Sequence, residues 1–177
     1  MPIEIVFETH SWSEDNDRGF ATGWLPGALS GRGKQLAREL GDRRREDRLA
    51  AIFSSDLRRA VQTAEIALGD TDLPLLLDWR LRECDYGTLN GAPASQVHAD
   101  RQQRLGTPFP GGESWQQAVD RVGGFLRDLP SRWAGQRVLV IGHVATRWAF
   151  DHVIDGATLA ELSRADFGWQ EGWEYKI

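Results

Sequence analysis

Hydrophobic and polar positions along the chain form alternating strand-like and helix-like segments. Residues 3–8 alternate largely between apolar and acidic side chains, which predicts a first strand. Short apolar runs predict further strands over 49–53, 75–79 and 137–141. Apolar residues at helical spacing predict helices over 33–45, 57–68, 113–129, 148–153 and 157–162. Strands that alternate with helices are typical of an α/β fold with a mostly parallel central sheet.

Two segments rich in glycine and proline show no clear periodicity. Residues 9–30 predict a long loop after the first strand, and residues 83–112 predict a loop with one short helix. The segment Ser54-Ser55-Asp56 offers side chains that would cap the following helix. The tryptophan-rich tail at 169–175 predicts a final strand or hairpin. Without a repeat or a linker, residues 1–177 are predicted to form a single domain.

Composition narrows the classes of function. The chain has 177 residues and one cysteine, Cys84, so neither an internal disulfide nor a cysteine-based zinc site is expected. The formal net charge of −5 argues against a general nucleic-acid binder, because phosphate backbones attract positive surfaces. No apolar run approaches the roughly 20 residues of a membrane-spanning helix. The N-terminus lacks the basic region of a signal peptide, so we expect a cytoplasmic protein that binds no membrane.

Four polar side chains follow predicted strands and suggest a reaction. His10 follows the first strand, and Arg59 lies in the first turn of the helix after the second. Glu83 follows the third strand, and His143 follows the strand at 137–141. Since the carboxyl ends of parallel neighbours meet at one edge of a sheet, we expect these groups to converge. An imidazole, an arginine and a carboxylic acid suit phosphoryl transfer as nucleophile, phosphate clamp and proton donor, without a metal or cofactor.

Longer motifs surround these residues. Residues 54–65 have the sequence SSDLRRAVQTAE, residues 81–91 have LRECDYGTLNG, and residues 110–114 have PGGES. With the strand that ends in Gly142-His143, these motifs resemble those of the histidine phosphatase superfamily, in its phosphoglycerate-mutase-like branch. The resemblance covers nearly the whole chain. It implies a three-layer α/β/α sandwich with a mostly parallel central sheet.

The resemblance also implies a role for each group. His10 would be the nucleophile that carries the phosphoryl group, and Glu83 would be the general acid. Arg59 would bind phosphate, and His143 would be the second active-site histidine. The positions expected on the substrate side are Thr9, Ser11, Asn16, Thr22, Gly23, Tyr86 and Val144.

Three of these positions depart from the family's motifs. Thr9 stands where the family has a phosphate-binding arginine, and Ser11 and Val144 stand where it has glycine. Losing one charge-assisted hydrogen bond to phosphate costs about 1.5–3 kcal/mol. Thr9 and Ser11 each offer a neutral hydrogen bond instead. Arg82 and Arg147 are candidates to replace the missing charge.

Three hypotheses follow. The first is a phosphomonoesterase that hydrolyses a small phosphorylated metabolite through a phosphohistidine at His10. The alternative is a non-catalytic or weakly active member that binds a phosphate ligand, which Thr9 and Ser11 motivate. The third is a phosphoglycerate mutase, which the short segment 92–109 disfavours, since mutases carry a longer insertion with basic residues there. The tryptophan-rich tail also offers a surface for pairing in a homodimer.

Overall fold

The computed structural model describes residues 1–177 and contains seven strands and eight α-helices. The strands are Glu4–Thr9 (β1), Phe20–Ala21 (β2), Ala51–Ser54 (β3), Leu75–Leu77 (β4), Ala92–Pro93 (β5), Arg137–Gly142 (β6) and Trp173–Lys176 (β7). The helices are Glu14–Arg18 (α1), Gly31–Arg44 (α2), Arg58–Leu68 (α3), Ala94–Asp100 (α4), Trp115–Asp128 (α5), Pro130–Trp133 (α6), Val144–Val153 (α7) and Leu159–Arg164 (α8). None of the helices is long and apolar enough to cross a lipid bilayer.

Five strands form the central sheet, in the order β4-β3-β6-β1-β7. The first four are parallel to their neighbours, and β7 runs antiparallel at the edge beside β1. The mostly parallel sheet is therefore confirmed, and the tail forms the predicted final strand. β6 is buried along nearly its whole length, as expected for a central strand that helices cover on both faces.

Helices lie on both faces of this sheet. On one face, Ile5, Phe7 and Val140 pack in a core with α5 and α7. On the other face, Val6 and Leu139 pack against α2 and α3. Alternate residues of a strand therefore pack into opposite helical layers, because the side chains of a strand point alternately to its two faces. The expected three-layer α/β/α sandwich is confirmed.

The segment 9–30 is more ordered than predicted. It contains α1 and β2, so the prediction of a continuous loop was wrong. α1 forms because Ser13 and Asn16 make a reciprocal capping box at its first turn, and Gly19 ends it with a φ of 76°. β2 pairs with β5 in a small antiparallel sheet, which joins this segment to the one that carries the predicted short helix, α4.

The turn between β3 and α3 also differs from the prediction. The residue before α3 is Leu57, and no side chain caps the helix there. The Ser54 hydroxyl donates to the Ser55 carbonyl at 2.9 Å, and Ser55 Oγ accepts the amide of Leu57 at 3.2 Å. The two serines therefore shape the turn, and the predicted N-cap was wrong.

Candidate active site

Two histidines lie side by side at the carboxyl edge of the sheet. β1 and β6 pair so that Thr9 lies opposite Gly142. The His10 amide donates to the Gly142 carbonyl at 2.9 Å. The ring centres of His10 and His143 are 5.0 Å apart. The parallel pairing of the two strands thus brings together residues that are far apart in sequence.

The hydrogen bonds of His10 fix its tautomer. Its Nδ1 lies 2.7 Å from the Ser11 carbonyl oxygen. Because a carbonyl oxygen only accepts, Nδ1 carries the proton and Nε2 carries the lone pair. Burial, with the positive charge of Arg59, lowers the pKa of His10 to about 3. The imidazole is therefore neutral near pH 7, the state in which Nε2 can act as a nucleophile.

Arg59 connects the two histidines. It lies in the first turn of α3 and is buried. Its Nε donates to His10 Nε2 at 3.3 Å, and its Nη2 lies 3.2 Å from His143 Nδ1. Nη2 also donates to the Gly23 carbonyl at 2.9 Å, which orients the guanidinium plane. A planar cation beside a nucleophile is suited to holding phosphate oxygens.

His143 is almost completely enclosed, with 1 % of its surface exposed. Since Arg59 donates to Nδ1, the ring proton lies on Nε2, which is 2.9 Å from Ser55 Oγ. Burial and the charge of Arg59 lower the pKa of His143 well below its ordinary value, so the ring is neutral. Its amide donates to Thr146 Oγ1 at 3.1 Å at the start of α7. His143 is thus a rigid acceptor for Arg59.

The Glu83 carboxyl group meets the first turn of α7. Its Oε1 accepts the amides of Cys84 at 2.9 Å and Ala145 at 3.1 Å. Amides in the first turn of a helix lack partners within the helix, so an acceptor side chain satisfies one of them here. Arg121 of α5 holds the same stretch of chain, because it donates to the Glu83 carbonyl at 2.7 Å and pairs with Glu113 at 2.8 Å. Two helices therefore set the position of Glu83.

A cavity of about 530 Å³ opens above these groups. Every residue to which the resemblance assigns a site role lines it. These residues are Thr9, His10, Ser11, Asn16, Thr22, Gly23, Arg59, Glu83, Tyr86, His143 and Val144. A cavity of this size suits a small metabolite. No group of histidine, cysteine and carboxylate side chains is arranged to hold a metal ion.

The loop residues of the cavity are anchored to the chain behind them. Ser11 donates its amide to a threonine hydroxyl on α3 at 2.9 Å. Asn16 Oδ1 accepts the Ser13 amide at 2.9 Å, which leaves the Nδ2 hydrogens of Asn16 for a ligand. The Thr22 hydroxyl donates to Asp15 at 2.7 Å. These bonds hold the loop after β1 over the two histidines.

A family model described as the histidine phosphatase superfamily (branch 1) matches residues 5–169. The chain belongs to the histidine phosphatase superfamily. The resemblance found in the sequence is therefore confirmed.

Curated and structural relatives of this superfamily member have different activities. A 2,3-bisphosphoglycerate-dependent phosphoglycerate mutase of Methylobacterium sp. (strain 4-46) is 36 % identical over 170 residues, which cover 87 % of this chain and 81 % of that protein. Phosphoserine phosphatase 1 of Hydrogenobacter thermophilus is 29 % identical over 168 residues, which cover 90 % and 80 %. The solved structure of YhfR from Bacillus stearothermophilus matches with a TM-score of 0.86 and 25 % identity, covering 96 % of this chain and 88 % of that chain. The relatives therefore include both mutases and phosphatases.

Neither Arg82 nor Arg147 supplies the positive charge that the family has at position 9 and this chain, with Thr9, lacks. Arg82 pairs with Asp56 through two hydrogen bonds of 2.7 and 2.6 Å. Arg147 pairs with Asp151 at 2.8 Å. Neither arginine lines the cavity, so both predictions were wrong. The second pair was visible in the sequence, because its residues lie four positions apart on one helix.

The sequence analysis missed other charged residues of the cavity. Glu8 of β1 is 1 % exposed and accepts from Arg44 at 2.9 Å and from Arg43 at 3.4 Å. Burial raises the pKa of Glu8, and the two arginines oppose that increase. A charged residue inside an otherwise buried strand was the signal available in the sequence. His98 and Arg101 also line the cavity, although neither lies in a recognised motif.

Proposed function

We propose that this protein is a phosphomonoesterase that hydrolyses a small phosphorylated metabolite through a phosphohistidine on His10. The proposal rests on the tautomer and the neutral charge of the His10 ring. Its Nδ1 is held by the Ser11 carbonyl, while its unprotonated Nε2 faces Arg59 at the cavity. A neutral nucleophile beside a guanidinium is the arrangement that phosphoryl transfer uses.

In the first step, His10 Nε2 forms a bond to phosphorus, and the bond from phosphorus to the ester oxygen breaks. Arg59 exchanges its contact with Nε2 for contacts with the phosphoryl oxygens, where negative charge develops. His143, 3.2 Å from Arg59, supports the guanidinium beside those oxygens. Glu83, as the carboxylic acid, protonates the leaving oxygen. The products of this step are an alcohol and a phosphohistidine.

In the second step, water attacks phosphorus and the bond from phosphorus to Nε2 breaks. The Glu83 carboxylate accepts the proton of the attacking water, so the acid is regenerated for the next turnover. Inorganic phosphate leaves, and His10 returns to its neutral form with the proton on Nδ1. Each proton and bond is thus accounted for by groups of this chain and the substrate.

The segment between β5 and α5 favours hydrolysis over mutase chemistry. Residues 92–109 are short here, whereas the mutases of this family carry a longer insertion with basic residues for a second substrate anion. Phosphoserine phosphatase 1 of Hydrogenobacter thermophilus, at 29 % identity, also supports hydrolysis within this family. We therefore propose a substrate whose only phosphate is the one transferred.

The first experiment is hydrolysis of a generic aryl phosphate between about pH 5 and 8. We expect turnover by the wild type and a loss of at least about a hundredfold in His10→Ala. His152→Ala is the matched control, because His152 binds the Ala157 carbonyl at 2.7 Å and lies outside the cavity. Mass spectrometry of rapidly quenched enzyme should find phosphate on His10. Equal activity of His10→Ala and the wild type would refute the mechanism.

A second candidate function is binding of a phosphate ligand without turnover. Thr9 and Val144 favour it, because one offers no charge to phosphate and the other adds a branched side chain to the cavity lining. Tight binding of inorganic phosphate, together with no turnover across a panel of phosphomonoesters, would support this function over hydrolysis.

A further inference from the structure

Arg101 is a cation of the cavity without a partner in the chain. It follows α4 and lines the cavity. Its guanidinium forms no hydrogen bond or ion pair within the structure, and its Nε is buried without an acceptor. The guanidinium carbon lies 5.3 Å from the ring centre of Trp148 and 5.8 Å from that of Trp115. The two rings support the side chain without using its donors.

The other arginines of the cavity are engaged or exposed. Arg43 pairs with Glu8 at 3.4 Å. Arg32 has unused donors, but it is exposed to solvent and stacks over Trp12 at 4.9 Å. Arg59 uses its donors on a backbone carbonyl and on the two histidines. A phosphoryl group carries up to two negative charges, and one guanidinium neutralises only one of them. A bound phosphate would therefore need a second positive charge, and the N–H groups of Arg101 have no acceptor within the chain.

Thr9 and Arg101 lie on the same side of the sheet. Phe7 contacts Phe150 of α7, with ring centres 5.5 Å apart. Because side chains of a strand alternate, Thr9 is directed toward the same layer as Phe7. Arg101 lies against Trp148, which also belongs to α7. Both residues therefore line the cavity from the same layer of the fold.

Trp115 places Arg101 beside Tyr86. The ring centre of Trp115 lies 6.0 Å from that of Tyr86 and 5.8 Å from the guanidinium carbon of Arg101. Tyr86, Arg101 and Arg59 all line the cavity. A phosphate bound by Arg59 would therefore share one cavity with the unpaired guanidinium of Arg101.

We propose that Arg101 is the second phosphate-binding arginine of this protein and supplies the charge that Thr9 does not. Its free N–H groups would donate to the phosphoryl oxygens opposite Arg59. The inference rests on the proposed function only in that the ligand is a phosphate, because it concerns binding and not turnover.

The test measures binding of inorganic phosphate by calorimetry to the wild type, Arg101→Met and Arg104→Met. Methionine keeps the stem that packs on the two tryptophan rings. Arg104 is the matched control, because its Nε is also buried without an acceptor and it stacks over Phe109 at 5.7 Å, but it does not line the cavity. We expect Arg101→Met to weaken phosphate binding about ten- to hundredfold. Arg104→Met should bind within about twofold of the wild type.

A rescue variant separates this role from a structural one. Thr9→Arg combined with Arg101→Met should recover most of the lost affinity, since either arginine would supply the charge. Equal binding by the wild type and Arg101→Met, or no phosphate binding by the wild type, would overturn the proposal. Aryl phosphate turnover is measured in parallel. Phosphate binding that depends on Arg101 without turnover would remove the esterase function and leave this inference standing.

Discussion

Because the pKa of His10 is low, we expect the protein to lose stability in acid. A substitution of His10 should remove the part of this loss that its titration causes. In the unfolded chain a histidine has a pKa of about 6.5. In the folded protein, burial and Arg59 lower the pKa of His10 to about 3. Between these values the unfolded state binds a proton that the folded state does not, so acid favours unfolding. The stability is fully present above about pH 6.5 and falls as the pH decreases toward 3.

The magnitude follows from the two pKa values. The loss approaches about 1.4 kcal/mol per pH unit, and integration from pH 8 to 5 gives about 2 kcal/mol for His10 alone. This result is nearly the same for any folded pKa below about 4. His143 adds its own loss, because burial lowers its pKa as well. His10→Asn removes one titrating group and keeps a side-chain N–H for the Ser11 carbonyl.

The assay is urea unfolding of the wild type and His10→Asn in buffers between about pH 8 and 5. Phosphate buffers are avoided, since a ligand of the folded state would add stability. The free energy of unfolding should decrease less in the variant, by about 2 kcal/mol over this range. An equal decrease in both proteins would show that His10 titrates normally when folded, and the reasoning would fail.

Three further predictions concern the groups around His10. Glu83→Gln should reduce turnover about 10²–10⁴-fold. The unfolding free energy should change by less than about 1 kcal/mol, because the glutamine amide oxygen can still accept the two backbone amides. Full activity of this variant would remove Glu83 from the mechanism. Arg121→Met should cost about 3–5 kcal/mol in urea unfolding, because it leaves Glu113 unpaired and the carbonyls of Arg80 and Arg82 without a donor. A cost below about 1 kcal/mol would contradict this. Gly23→Ala should weaken phosphate binding. Gly23 has a φ of 56°, and a Cβ there would lie 1.8 Å from a side-chain oxygen. The backbone would have to move, and this would displace the Gly23 carbonyl that orients Arg59. Unchanged affinity in calorimetry would show that Arg59 does not depend on this carbonyl.

The sequence predicts the layers of this fold well, because period and burial agree along the main strands. The apolar run at 137–141 becomes β6, which extends one residue further to Gly142. The alternation at 3–8 becomes β1, which is shifted by one residue to 4–9. Once these two strands are parallel neighbours, the polar residues that follow them must meet at one edge. The pairing of His10 with His143 is thus a consequence of the hydrophobic pattern.

The charged contacts of the site could not be predicted in the same way, since they join segments that are far apart in the chain. Glu8 contacts Arg44 across 36 positions, and Arg82 contacts Asp56 across 26. No local period encodes such a pair. The partners of an arginine decide whether it can bind phosphate, so sequence position alone selected Arg82 wrongly. Arg101 lies outside every recognised motif, and only the fold brings it to the cavity.

The order of strands in the sheet also determines when the carboxyl edge that holds His10 and His143 can form during synthesis. β1 leaves the ribosome before both of its neighbours, β6 and β7, and four other strands are made in between. Contacts between such distant segments carry a large entropic cost of closure and slow folding. His10 acquires the Gly142 carbonyl only when β6 has emerged. A nascent chain that stops before β6 therefore has His10 without the strand that positions it, and without His143 beside it.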